Sequence, residues 1–226
     1  MDIDFWLERW EKNETGFHQQ TINPYLRYYY GQNGPAVDQR EKLRVFVPLC
    51  GKSRDMLWLS QNHYRVLGVE CSDRAVNDFF AENALNYQYA EKNMDALYIS
   101  SDLPAPIEIF RGDFFSLQKA DFTDVTDIFD RASLIALPQD MRKKYVNKMT
   151  ELQNPGIRTL LVTLSYDQSE MDGPPFSVTE DNVMALYADN FSIEKLCFKE
   201  IINDEPRFQQ RGLTTLTETV YKLVRN

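Results

Sequence analysis

Cysteine and histidine are scarce in this sequence, and their scarcity excludes several kinds of protein. There are three cysteines, Cys50, Cys71 and Cys197, and two histidines, His18 and His63. An odd, widely spaced set of cysteines makes neither a disulfide framework nor a metal-ligand pattern. Two histidines are too few for a histidine-based centre, so no structural metal is expected. Positive charge is also in deficit: 25 Lys and Arg stand against 34 Asp and Glu, a formal net charge of -9. With no run of basic residues, broad binding to the phosphates of nucleic acid is excluded. Long apolar runs are missing as well; Thr159 to Leu164 is far too short to span a bilayer, so no membrane partner is expected. The start, Met1-Asp2-Ile3-Asp4, is acidic and lacks the basic head and apolar centre of a signal peptide. The expected location is the cytoplasm.

What is present is ordinary globular material. The 226 residues are 43% hydrophobic and 26% charged, with 14 Phe and 12 Tyr to bulk out a core. That length suits one α/β domain spanning residues 1–226. An N-terminal arm, residues 1–40, opens with a helical aromatic pattern at Phe5, Trp6, Leu7 and Trp10. Asn23 followed by Pro24 reads as the cap and first turn of a second short helix. An irregular stretch from Gly31 to Glu41 separates the arm from the body.

From Arg44 onward short apolar runs alternate with amphipathic stretches. Strands are expected at Leu43–Leu49, Arg65–Glu70, Ile107–Arg111, Asp124–Phe129 and Arg158–Ser165. Helices are expected at Ser53–Gln61, Ser72–Asn83, Gln139–Leu152 and from Thr179 to about Asp189. Two more strands lie near Phe191–Lys199 and Thr214–Val224, with no room for a full helix between them, and are expected to pair antiparallel. Strands alternating with helices of ten or more residues imply a mainly parallel, doubly wound sheet covered on both faces. The expected fold is therefore α/β, with seven strands, an antiparallel final strand and an N-terminal helical arm.

In such a sheet ligands bind beyond the carboxyl ends of the strands. The first strand ends in Pro48-Leu49-Cys50-Gly51-Lys52-Ser53, where Gly51 permits close backbone approach; a plain βα turn needs a glycine too. Gly-Lys-Ser suggests a P-loop, but that motif needs a glycine where Phe46 stands. The glycine-rich dinucleotide fingerprint is also missing. The second strand ends at Glu70, about 20 residues past the first turn, where a carboxylate can accept from both hydroxyls of a ribose. The same residue can instead brace the helix that starts near Ser72. After the third strand, Asp113 and Phe114 can hold and cover an adenine, or form an Asp-initiated turn with core phenylalanines. Asp130-Arg131 follows the fourth strand, and a cation beside an anion there suits a zwitterionic amino-acid group; a surface ion pair is the plain reading. Leu164-Ser165-Tyr166-Asp167 leads into Gly173-Pro174-Pro175-Phe176, a loop with the look of a substrate lid.

Together with Phe5-Trp6, Trp10 and Gly16-Phe17-His18, these segments resemble the thiopurine S-methyltransferase family in its compact bacterial form, over nearly the whole chain. The resemblance implies a class I methyltransferase fold and S-adenosylmethionine as the cofactor, leaving S-adenosylhomocysteine as product. It carries cofactor-contacting roles to Trp10, Leu49, Glu70 and Arg131, and places Asp113 and Phe114 near the adenine. Phe17 and Trp10 are expected to fold over the site, with Phe17 also on the substrate side. Arg131 and Arg207 are expected to face the acceptor as the catalytic pair.

The implied reaction is methyl transfer to the sulfur of a thiopurine-like aromatic or heterocyclic thiol, an in-line displacement on a thiolate. Such thiols ionise readily, so alignment and exclusion of water suffice and no catalytic His or Cys is expected. His18 reads as a structural residue of the arm, and Asp130 is the one candidate for a proton acceptor. Three other readings stand beside this one: methylation of inorganic selenium or tellurium species, with tellurite resistance as the role; a non-catalytic S-adenosylmethionine-binding protein; and an NAD-dependent oxidoreductase. The partner expected is a small-molecule thiol or chalcogen acceptor, and the protein is expected to be a monomer.

Overall fold

The computed structural model describes residues 3–92 and 95–226. Met1 and Asp2, part of the acidic start, lie outside the described residues. The chain divides into two compact units, Asp2–Phe129 and Asp130–Asn226.

In the first unit, α1 (Ile3–Glu11) buries Trp10. Asn23 caps α2 (Pro24–Leu26), its side-chain oxygen accepting from the amides of Tyr25 and Leu26 at 3.0 and 3.3 Å. Pro24 fits the first turn because the amide it lacks has no helical partner there. A π-helical stretch follows over Arg27–Gln32, then α3 (Val37–Arg40) inside the irregular segment. The body is β1 (Arg44–Val47), α4 (Arg54–Gln61), β2 (Arg65–Glu70), α5 (Asp73–Glu82), β3 (Gln88–Lys92), β4 (Asp95–Ser100), β5 (Ile107–Arg111) and the start of β6 (Asp127–Arg131). Ser53 and Ser72 cap α4 and α5 through the amides of Asp55 and Ala75.

Strand order in this unit is β3-β4-β5-β2-β1-β6. From β5 to β6 all pairs are parallel, with Gly68 opposite Ile109, Val45 opposite Val66 and Phe46 opposite Ile128. All four residues of β1 are buried, as a parallel strand covered on both faces requires. Gly68 is a packing glycine: a Cβ there would lie 2.8 Å from the Cys50 sulfur.

The second unit holds α6 (Gln139–Leu152), β7 (Arg158–Ser165), α7 (Glu180–Tyr187), β8 (Phe191–Glu200), α8 (Pro206–Gln210) and β9 (Thr217–Arg225). Thr179 and Asn182 close a reciprocal capping box on α7. Strand order is β7-β9-β8, with β9 antiparallel to both neighbours. Tyr166, Met171, Ile202, Phe208, Leu213 and Leu216 form a buried cluster that anchors the loops after β7 and around α8.

Several expectations change, among them the last strand, which starts at Thr217 rather than Thr214. The seven expected strands are present, but β3 and β4 add an antiparallel hairpin, giving nine strands among the described residues. The strand expected at Asp124–Phe129 begins instead at Asp127, because Asp124 is held in the preceding loop by the guanidinium groups of Arg44 and Arg65.

Candidate functional site

The turn after β1 has a backbone that side chains rarely favour. Leu49 has φ of 43° and Gly51 of 51°. A left-handed Leu costs on the order of 1–2 kcal/mol, so something must hold it. Two hydrogen bonds to β2 do: Cys50 N–H donates to the Val69 carbonyl at 2.9 Å, and Gly51 N–H to Glu70 Oε2 at 2.9 Å. Gly51 is required twice over, by its φ and because a Cβ would sit 3.0 Å from the Trp10 ring.

Glu70 is the hub. Its carboxylate is 5% exposed, and Oε1 accepts from the Ser72 amide at 2.9 Å and from the Cys71 thiol at 3.4 Å. Burial raises its pKa, opposed by the Ser72 and Gly51 amides and the Cys71 thiol. A carboxylate has about four lone-pair positions. Oε2 therefore keeps one for a further donor, and Oε1 a second whenever the weakly held thiol turns away. That is what a ribose diol needs. The plain alternative, bracing the entry to α5, is realised at the same time through Ser72.

The Glu70 carbonyl accepts from Gly112 N–H at 2.9 Å, which brings the end of β5 to the same place. Asp113 there caps a short 3-10 turn, Oδ1 accepting from the Phe115 amide at 2.9 Å, and Phe114 is buried with its ring edge-on to Phe115. The Asp-initiated turn is thus present, and it leaves the second carboxylate oxygen outside that bond. From the arm, the Phe17 ring meets Trp10 and Trp6 edge-on, with centroids 5.4 and 5.5 Å apart. Arg74 of α5 ties the arm down by donating to the Glu11 carbonyl and Asn13 Oδ1, each at 2.9 Å. Trp10, Leu49, Glu70, Asp113, Phe114 and Phe17 are therefore brought together at the carboxyl ends of β1, β2 and β5.

The remaining residues lie in the second unit. Arg131 is half-buried and ends β6. Arg207 is on α8 with its side chain 46% exposed, paired with Glu205 at 3.0 Å and lying over the Phe208 ring at 4.8 Å. Phe208 belongs to the buried cluster, so α8 has a fixed seat while Arg207 reaches outward. Asp130 turns inward: it is 1% exposed, Oδ2 accepts from the Tyr145 hydroxyl at 2.7 Å, and Oδ1 is buried without a hydrogen bond among the described residues. Burial pushes its pKa up to about 6, against the pull of Tyr145, the Leu134 amide and the Ser133 hydroxyl. A group so enclosed serves the end of β6 as a brace rather than as a proton acceptor open to substrate.

One polar residue escaped the sequence reading altogether. Arg142 is 4% exposed in α6 and lines an open groove with Tyr166, Asp167 and Asp172. An arginine on an amphipathic helix reads as a solvated residue, and nothing in its neighbours marks it otherwise.

Known proteins of the same shape give these strand ends their class. A crystal structure of a SAM-dependent methyltransferase from Anabaena variabilis superposes with a TM-score of 0.64 at 14% identity, covering 99% of this chain and 95% of the other. The 1,6-didemethyltoxoflavin-N1-methyltransferase of Burkholderia thailandensis, solved with bound 1,6-didemethyltoxoflavin and S-adenosylhomocysteine, gives 0.63 at 13%, covering 99% and 87%. The fold is that of the class I S-adenosylmethionine-dependent methyltransferases. The family model for thiopurine S-methyltransferase matches residues 1–226. A thiopurine S-methyltransferase of Bordetella petrii is 44% identical over 225 residues, covering 100% of this chain and 99% of its own, and one of Pseudomonas fluorescens is 42% identical over 224, covering 99% of both. This chain belongs to the thiopurine S-methyltransferase family and is an S-adenosylmethionine-dependent methyltransferase.

Proposed function

We propose that the enzyme methylates the sulfur of a thiopurine-like aromatic or heterocyclic thiol, with the donor held at the ends of β1, β2 and β5. The observation that carries the donor placement is Glu70: a buried carboxylate, fixed by two amides, with acceptor capacity left for a diol. S-adenosylmethionine supplies the methyl group as an electrophilic sulfonium substituent. Glu70 holds the ribose, the Leu49–Gly51 backbone faces the methionine part, and Asp113 with Phe114 holds the adenine. Trp10 and Phe17 cover the site and exclude water, which strengthens every electrostatic contact beneath them.

Arg131 and Arg207 receive the acceptor. A guanidinium near a thiol favours the thiolate, and a heterocyclic thiol spreads its charge onto ring nitrogens that the same group can reach. With the nucleophile already anionic, positioning is the main task left to the protein. Of the side chains that could compete as a base, Asp130 is enclosed and bonded to Tyr145.

The test is calorimetric binding of S-adenosylhomocysteine to the wild type, Glu70→Gln and Glu70→Ala. Loss of two hydrogen bonds to a charged group predicts roughly a hundredfold or greater weakening in Glu70→Ala, and Glu70→Gln should fall between. Wild-type affinity retained in a folded Glu70→Ala would place the ribose elsewhere. Turnover of 6-mercaptopurine that ignores Arg131→Ala and Arg207→Ala would refute the acceptor assignment.

A further inference from the structure

The second unit contains a buried cation with no balancing carboxylate among the described residues. Arg142, at the fourth position of α6, is 4% exposed, and its one side-chain hydrogen bond among the described residues is from Nε to the Leu137 carbonyl at 3.0 Å. Among the described residues no carboxylate acts on its guanidinium: burial lowers its pKa, and the nearby Tyr166 phenol acts the other way. Burying a charge is costly unless it is paired and hydrogen-bonded, so a guanidinium left without an anion is one that a ligand's carboxylate would complete.

Arg142 lines an open groove of about 600 Å³ within the second unit, a volume that suits a small molecule. The groove lies beyond the carboxyl end of β7, where Tyr166 and Asp167 follow the last strand residue, Ser165. Its walls are already bonded and so are preformed. The Tyr166 hydroxyl donates to the Pro175 carbonyl at 2.6 Å, Ser177 exchanges hydrogen bonds with the Tyr166 backbone, and Gln168 donates to the Met171 carbonyl. The first turn of α6 leaves its amides without a side-chain acceptor, because its N-cap is Pro138, and the acidic residue of that turn, Asp140, is exposed. At the mouth the sign reverses: Asp167 and Asp172 are exposed and line the same groove. Asp167 spends Oδ1 on the amide and hydroxyl of Ser169, at 2.9 and 2.7 Å, which leaves its other oxygen for a ligand.

We propose that this groove binds a free α-amino acid or a close zwitterionic analogue. The carboxylate sits on the Arg142 guanidinium and the ammonium faces Asp167 and Asp172. A guanidinium presents two parallel N–H donors that match a carboxylate, and a plain anion would be opposed at the mouth by two acidic side chains. The residues that form it all belong to the second unit, and it does not depend on which thiol is methylated.

The test uses the full-length enzyme. The twenty standard L-amino acids are titrated one at a time, following amide chemical shifts of residues 139–142 and 166–182. The strongest binder is then compared with its des-amino acid and its decarboxylated amine. The proposal expects saturable shifts at these residues, binding weakened by roughly ten- to hundredfold in Arg142→Gln, as for loss of a charge-assisted pair, and weaker binding of both truncated compounds. If Arg142→Gln fails to fold, Asp172→Lys, an exposed change, serves instead and is expected to weaken the amino acid more than its des-amino form. No saturable shift with any amino acid overturns the proposal. Equal binding of the des-amino acid and the parent, or binding that is indifferent to both substitutions, overturns it as well.

Discussion

Replacing Asp130 with asparagine isolates what its burial does to the fold. Asp130 keeps almost no exposure, with Tyr145 donating to one oxygen and the other left unsatisfied. Its pKa rises from an ordinary 3.8 to about 6, chiefly through burial. About two pKa units at about 1.4 kcal/mol each make about 3 kcal/mol of linkage. A carboxyl with a raised folded pKa binds its proton more tightly when folded. Its contribution to stability is fully present below about pH 4 and is lost as the pH rises through about 6. The substituted asparagine cannot ionise, yet its carbonyl oxygen can still accept from Tyr145. The stability of Asp130→Asn relative to wild type should therefore grow by about 2 kcal/mol between pH 4.5 and 7, most of it by pH 6. For a chain of this size that corresponds to roughly 4–8 °C in relative melting temperature. Urea titrations of both proteins across that range measure the difference, in which titrations common to the two cancel. A constant asparagine effect only offsets the curve. A difference that is flat with pH, or that shrinks as the pH rises, refutes the reasoning.

Other outcomes follow from the same geometry. Gly51→Ala places a side chain at positive φ and against the Trp10 ring, and should cost on the order of 1–2 kcal/mol and weaken S-adenosylhomocysteine binding, measured by denaturation and calorimetry. Trp10→Ala removes a buried indole that packs on Phe17, and the arm should become cleavable by trypsin under conditions that leave the wild type intact. Arg44→Met removes the guanidinium that Glu108 and Asp124 share, while Asp124 keeps Arg65; a loss of about 1–2 kcal/mol in urea unfolding is expected, since both carboxylates left behind reach solvent. Arg207→Ala, far from the donor residues in sequence, should raise KM for 6-mercaptopurine while leaving S-adenosylhomocysteine affinity unchanged.

Much of this architecture was legible in the residues because local chemistry and tertiary structure agree. Ser53, Ser72, Asn23 and Thr179 all cap the helices they were expected to open. Arg65–Glu70 and Arg158–Ser165 are strands over the expected residues, since buried parallel or central strands are written as continuous apolar runs. The hairpin β3–β4 left no such mark. Its inward positions on β4 are Ala96, Tyr98 and Ser100, while Leu97 and Ile99 occupy the other face, so the alternation is blurred. On β3, Gln88–Glu91 are exposed, and the strand is set by its partner rather than by its own pattern. At the candidate site the residue types and spacing pointed to Glu70, but the left-handed Leu49 that lets Gly51 reach it is a backbone property no side chain announces. Arg142 was unreadable for the opposite reason: a common surface residue became interesting only through what surrounds it.

The burial around Glu70, together with its charge, also bears on the enzyme's own sulfur. Cys50 and Cys71 flank the turn that Glu70 organises, and both thiols have raised pKa values, first from burial and then from the negative charge beside them. The thiolate, not the thiol, is the nucleophile that attacks an alkylating donor. Burial first, and then the carboxylate proposed to grip the donor, thus both favour the protonated, less nucleophilic form of the cysteines beside that turn, and with it the protection of a methyltransferase from its own methyl donor.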